Sequence, residues 1–166
     1  MLKKDNHFIL IQSIYFMAIN KEHYCSLESM YAAAPFNGFF NPTLVVAEAK
    51  ATVSIILSPQ LHHSAGAVHG SVYFKMLDDA AFFAANSLED EFFVVTTSFT
   101  TYLTRPVSSG KMTAIGQVVN QNKSQFIAEA ILYNEQDQEI GRGNGIFVRS
   151  KNRLVDAKGY LPTKPL

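Results

Sequence analysis

Apolar and polar positions alternate with a period of two from Val45 to Leu57: Val45, Ala47, Ala49, Ala51, Val53, Ile55 and Leu57 fall on one side, and Glu48, Lys50, Thr52 and Ser54 on the other. Successive strand residues point to opposite faces, so this pattern predicts one long strand with a single buried face. The pattern changes between His69 and Asn86. Proline is absent there, glycine occurs only at Gly70, and Val72, Tyr73, Phe74, Met76, Leu77, Ala80, Ala81, Phe82, Phe83, Ala84 and Ala85 leave almost no polar face. Such a stretch predicts a helix of four to five turns, and a helix that is apolar all round is buried. Past the solvated turn Glu89-Asp90-Glu91, strands are expected over Phe92–Leu103, Lys111–Asn120, Ser124–Asn134 and Ile140–Arg149, separated by hairpin-length connections.

Ahead of the first strand, Lys21 to Ala34 carries Leu27, Met30 and Tyr31 at helical spacing and stops at Pro35, which disfavours helix in its neighbour. One strand, one buried helix and four further strands predict an α+β fold, its largely antiparallel sheet curled around the helix. Residues 1–20 form an N-terminal extension in this reading, 21–150 the single domain and 151–166 an irregular tail. The alternate glycines Gly141, Gly143 and Gly145 resemble a phosphate loop but lack the Gly-Lys-Ser/Thr ending. Close packing against bulky side chains accounts for them better.

The buried helix contains two adjacent carboxylates, Asp78 and Asp79. An ionised carboxylate is costly to bury without a partner, and Lys75, three and four residues earlier, can pair with one of them. The helix start offers chemistry of its own. Gly66 and Gly70 bracket a turn crowded by His62, His63 and His69, and the free N–H groups of a first turn suit a carbonyl oxygen gaining negative charge.

Composition narrows the function classes. Lys+Arg 14 balance Asp+Glu 14, without the basic stripe that nucleic-acid binding requires. The apolar run Phe8–Ile19 is shorter than the ~20 residues needed to span a bilayer, so no membrane role is expected. It imitates a signal peptide, but Ala18-Ile19-Asn20-Lys21 makes a poor cleavage site. Met17 offers a second possible start, leaving residues 1–16 as an extension the fold does not need. One cysteine, Cys25, allows no internal disulfide and suits a reducing, cytoplasmic setting. His62, His63, His69 and Asp78 lack the spacing of a metal motif, so no metal or cofactor is expected.

A His-Gly-Ser turn opening a buried helix, with Asp nine residues after the His and Ala two later, resembles the hotdog-fold acyl-CoA thioesterases of the phenylacetic-acid-degradation (PaaI-like) branch. His69, Gly70, Asp78 and Ala80 carry the match, and Thr96 and the Tyr102-Leu103-Thr104-Arg105-Pro106 strand end extend it. The resemblance implies a hotdog fold of five to six antiparallel strands around one helix, and metal-independent hydrolysis of an acyl-CoA thioester. It also implies that Asp78 is general base or nucleophile and that the Gly70 amide polarises the carbonyl. Thr96 would position the water, and His69 and Ser71 would flank the substrate. His63 stands where these enzymes often carry Asn, and could hold water or substrate or act as a base. Lys123 and Ser124 fall near where the coenzyme A phosphates lie in the family. Asp79 falls where the family usually has a small polar residue and is not expected to take part in the reaction.

Gly70 and Asp78 are eight residues apart, about 12 Å of helical rise, whereas reacting groups meet at about 3 Å. If both serve one reaction they come from different chains, as in the family's shared-site homodimers, alone or as a dimer of dimers. Two other readings compete with the esterase: a catalytically silent hotdog protein that senses acyl-CoA, and an enoyl-CoA hydratase on the same fold, whose His-Phe-Pro type of signature is absent.

Overall fold

The computed structural model describes residues 20–161. The apolar run Phe8–Ile19 and the prolines Pro162 and Pro165 lie outside the described residues. A first helix, α1, occupies residues 20–33 and ends before Pro35, where a short 3-10 turn, Pro35–Phe39, leads on. Strands β1 (Thr43–Ala47) and β2 (Lys50–Ile56) follow, then helix α2 (Gly70–Asn86) and strands β3 (Phe92–Leu103), β4 (Lys111–Gln121), β5 (Gln125–Tyr133) and β6 (Glu139–Arg153).

The expected single strand over Val45–Leu57 is a hairpin instead. β1 pairs antiparallel with β2, Ala47 opposite Lys50. The turn is Glu48-Ala49, with Ala49 at φ 56, a left-handed conformation normally signalled by Gly or Asn. The sequence keeps alternating through this turn, but the buried face changes parity across it: Leu44 and Val46 are buried in β1 and Ala51, Val53 and Ile55 in β2, whereas Val45, expected on the buried face, is 63% exposed.

All pairings are antiparallel, in the order β1-β2-β4-β5-β6-β3. The sheet curls round α2, which buries Met76, Leu77, Ala80, Ala81, Ala84 and Ala85 against Val53, Met112, Ala114, Phe126, Ala128 and Leu132. Residue size sets the depth of this docking. A Cβ on Gly116 of β4 would lie 2.1 Å from the Ala80 carbonyl oxygen, so the helix backbone rests directly on the sheet. Alternate glycines on β6 have a related use: Cβ atoms at Gly143 and Gly145 would fall 2.5 Å and 2.4 Å from the ring of Phe99 on β3. As the sequence suggests, these glycines make room for a large side chain.

Asn86 ties the end of α2 to its surroundings. Its side chain takes the Val94 N–H and donates to the Glu89 carbonyl, and its own carbonyl accepts from His23 Nε2 of α1 at 2.9 Å. With Nε2 donating, the His23 Nδ1 accepts the Tyr160 hydroxyl at 2.8 Å. The described part of the expected irregular tail, residues 151–161, is structured instead: β6 runs to Arg153, and Leu154 and Tyr160 are buried.

The all-apolar character of α2 led to the expectation of complete burial, yet Phe74 is 44% exposed and Ser71 is exposed as well. Both lie on the stripe that faces away from the sheet centre. Beside it runs β3, an edge strand with Tyr102 and Leu103 more than half exposed. The apolar surface that the sequence assigns to a core is left open in one chain along this edge.

Substituting Gly116→Ala should force α2 off the sheet and destabilise the fold by about 3 kcal/mol or more in denaturant unfolding. Gly38→Ala, where a Cβ meets nothing within 4 Å, should stay within about 0.5 kcal/mol. Equal effects would mean that the close approach at Gly116 is not what sets the helix position.

Candidate active site

The two adjacent carboxylates of α2 have separate surroundings. Successive helix residues are 100° apart, so one carboxylate turns towards β3 and the other towards α1. Asp79 accepts the Lys75 ammonium at 2.5 Å and the Tyr31 hydroxyl at 2.6 Å, both on Oδ2. Lys75 is buried, its Nζ 5.2–5.3 Å from the ring centres of Tyr31, Phe36 and Phe40. Burial, followed by the Asp79 charge, pushes the Tyr31 hydroxyl far above the usual phenol range. Of the two carboxylates within reach of Lys75 by helical spacing, it is Asp79, at i, i+4, that takes the ion pair.

Among the described residues, Asp78 has no cation of its own. Its Oδ1 accepts one hydrogen bond, from Thr96 Oγ1 of β3 at 3.0 Å. Burial pushes its pKa from 3.8 up to about 6; Thr96 pulls it back, Asp79 raises it and Lys75 lowers it. It is thus mostly ionised at neutral pH yet close enough to titration to take and return a proton, as a general base must.

Both carboxylates border a groove of ≈350 Å³. Phe82 and Phe83 of α2 floor it, Met30, Tyr31 and Phe36 form one wall, and Phe93, Val95 and Thr96 of β3 the other. An apolar trough with a carboxylate and a hydroxyl on its side suits an apolar group next to a hydrolysable bond. The wall supplied by α1 escapes sequence reasoning; its only trace is Met30 and Tyr31 on the apolar face of that helix.

The remaining sequence candidates lie elsewhere. His69 caps α2, its Nδ1 accepting the Ser71 N–H at 3.1 Å and lying 2.8 Å from the Ser71 hydroxyl. Gly70 is the first helical residue, so its N–H has no intrahelical acceptor, and it has no other partner among the described residues. A Cβ at Gly70 would be 3.3 Å from Leu103, at the far end of β3 from Phe93. His63 is exposed in the loop before α2, where its Nδ1 accepts the Ala65 N–H. Neither Gly70, His69, Ser71 nor His63 lines the groove beside Asp78 in the same chain.

Lys123 and Ser124 occupy the exposed β4–β5 turn. The Ser124 hydroxyl bonds Asn122 Oδ1, and the Lys123 carbonyl accepts Arg149. Sheet register carries this turn towards the Asp78 end, since Gln125 pairs with Val148 and Val148 with Val95. Among the described residues, no group of three or more His, Cys, Asp or Glu side chains is arranged to hold a metal. No described helix is long and apolar enough to cross a membrane.

Residues 65–140 match the family model described as the thioesterase superfamily. The fold is similar to the PaaI protein of the Escherichia coli phenylacetic acid degradation operon, at 20% identity and a TM-score of 0.74 over 81% of this chain and 98% of that one. A conserved Pseudomonas aeruginosa protein superposes at 20% identity and a TM-score of 0.66, covering 70% and 94% of the two chains. A thioesterase from Staphylococcus aureus does so at 15% identity and a TM-score of 0.66, covering 69% and 98%. Among curated proteins, none matches the sequence. The hotdog architecture is borne out, and with it the PaaI-like resemblance as far as the fold goes.

The Asp78 environment has a consequence for stability. A carboxyl group with a raised pKa holds its proton more tightly when folded, so its ionisation costs stability as pH rises from about 4 through about 6. Asp78→Asn should therefore melt higher than the unmodified protein at pH 8, by on the order of 1–2 kcal/mol after allowance for partial solvent screening. Near pH 4 the advantage should vanish. Thermal melts of both proteins across this range check it; a constant gap would show that Asp78 carries no burial cost.

Proposed function

We propose that this hotdog-fold chain, whose residues 65–140 match the thioesterase superfamily, hydrolyses an acyl-CoA thioester to the free acid and coenzyme A. The observation that carries the reading is the contrast between the paired Asp79 and the unpaired, half-buried Asp78 at the edge of an apolar groove. Acyl-thioester hydrolysis is the reaction class that the superfamily match supports.

In this mechanism a water held between Asp78 and Thr96 attacks the thioester carbonyl carbon while Asp78 takes its proton. The carbonyl electrons move to oxygen, where the free Gly70 N–H and the helix dipole stabilise the charge. Collapse of the tetrahedral intermediate breaks the C–S bond. The departing sulfur takes up the proton, so that water and thioester become acid and thiol. Direct attack by the Asp78 carboxylate, forming an anhydride that water then opens, uses the same residues. His69 and Ser71 shape the carbonyl end, and His63 stands in the adjacent loop within the same reading. Lys123 and Ser124 meet the phosphates of coenzyme A in the same reading, which their exposed turn at the Asp78 end of the sheet supports.

Gly70 and Asp78 cannot serve one carbonyl within a chain, because about 12 Å of helix separates them. The exposed edge of β3 and the open stripe of α2 support a two-fold partner here, on two grounds. They hold the apolar surface that one chain leaves uncovered. Asp78 meets one part of β3 at Thr96 and Gly70 approaches another at Leu103. An antiparallel second copy would set the Asp78 of each chain beside the Gly70 of the other, giving two equivalent sites.

A panel of acyl-CoAs, with free thiol followed over time, tests the reading. Turnover should rise with pH through about 6 as Asp78 ionises, and Asp78→Asn should lose on the order of 10²–10⁴-fold with the fold retained. Tight binding of acyl-CoA without turnover would instead make the protein a sensor.

A further inference from the structure

The pair formed by Lys75 and Asp79 is an unusual thing to place beside a reacting carboxylate. Both charges lie within the apolar groove, and the two together could be replaced by hydrocarbon side chains at little cost in stability. Instead the Lys75 ammonium is enclosed by three aromatic rings and bonded to Asp79, which in turn takes the Tyr31 hydroxyl from another helix. Asp79 is the sequence neighbour of Asp78 and Lys75 precedes it by three residues, so both charges act on it at short range.

We propose that Lys75, Asp79 and Tyr31 form a positioning unit for catalysis, which removes Asp79 from the chemistry and keeps either neighbouring charge from fixing the state of Asp78 on its own. The proposal rests on the reading of Asp78 as the base. Asp79 alone would make Asp78 hard to ionise, and Lys75 alone would hold it permanently charged and a poor proton acceptor. Together they leave a small residual effect, and burial with one Thr96 hydrogen bond can then poise the base. Tyr31 completes the unit by filling Asp79 Oδ2 and fixing α1 as the groove wall.

Few other groups can interfere. The titratable side chains lining the groove are Tyr31 of α1 and Lys75, Asp78 and Asp79 of α2; β3 contributes Phe93, Val95 and Thr96, and the 3-10 turn Phe36 and Asn37. In the two-fold arrangement the partner's His69 would also approach, and it is unchanged in every variant below. The two charges act on Asp78 in opposite directions, Asp79 raising and Lys75 lowering its pKa, so their removal has opposite signs.

The test is a carbon-13 NMR titration of the Asp78 carboxyl group, assigned by its loss in Asp78→Asn, alongside the pH profile of kcat/KM. Asp79→Asn should move both midpoints down by about one pH unit, and Lys75→Met should move them up by about as much. Lys75→Arg should restore the original midpoint. If the single variants fold poorly, Lys75→Met with Asp79→Leu removes both charges at once and should bring the midpoint back towards that of the unmodified protein. Shifts of the same sign in the two single variants, or none, would overturn the proposal. Were the NMR midpoints to move as stated while the rate profile stayed fixed, the hold of the pair on Asp78 would stand and the assignment of Asp78 as base would fall.

Discussion

The backbone of the central helix touches the sheet at Gly116, and the geometry of the whole protein follows from that contact. With the Ala80 carbonyl against β4, the rotation of α2 about its axis is fixed. Asp78, two residues earlier, points about 160° from that contact, and Asp79 about 100° to one side. On a flat sheet Asp78 would face water. The curl of the sheet brings β3 round to meet it, so that Thr96 can donate to the carboxylate. On the other side, α1 approaches closely enough for Tyr31 to reach Asp79. One close packing contact thus assigns two chemically identical neighbours to different environments.

The division has an energetic logic. A buried carboxylate is tolerated when it is paired and hydrogen-bonded, and Asp79 meets that condition. Asp78 meets it only in part, and its raised pKa records the shortfall. Strain of this kind is what a fold shaped for stability alone would remove, and a general base at neutral pH requires it. The apolar stripe of α2 and the long edge of β3 show the same character at larger scale: one chain leaves uncovered what a second copy would cover.

Much of this was legible in the sequence. The bounds of α2 follow from an apolar run opened by His69-Gly70, and β3 follows from its turn signals. Helical spacing allows Lys75 to pair with either Asp78 or Asp79, and only the structure assigns it to Asp79. The hairpin of β1 and β2 was hidden because Glu48-Ala49 carries no turn residue and the sequence keeps alternating while the buried face shifts from Leu44 and Val46 to Ala51, Val53 and Ile55. Tyr31 and the groove wall were hidden for another reason: α1 and α2 are far apart in sequence, and no local pattern records their meeting. The glycines were half legible, since alternate spacing on β6 suggests a bulky neighbour, whereas nothing near Gly116 announces a helix backbone.

The central claim is that each site takes Asp78 from one chain and the Gly70 amide from another. Mixing two inactive variants tests it directly: one carries Asp78→Asn, the other Gly70→Ile, which crowds the amide. In a mixed dimer one site holds both defects and the other neither. At random reassortment half the dimers are mixed, so acyl-CoA hydrolysis should recover to roughly a quarter of the unmodified rate. Subunit exchange verified by mass spectrometry, with no recovered hydrolysis, would contradict the shared site.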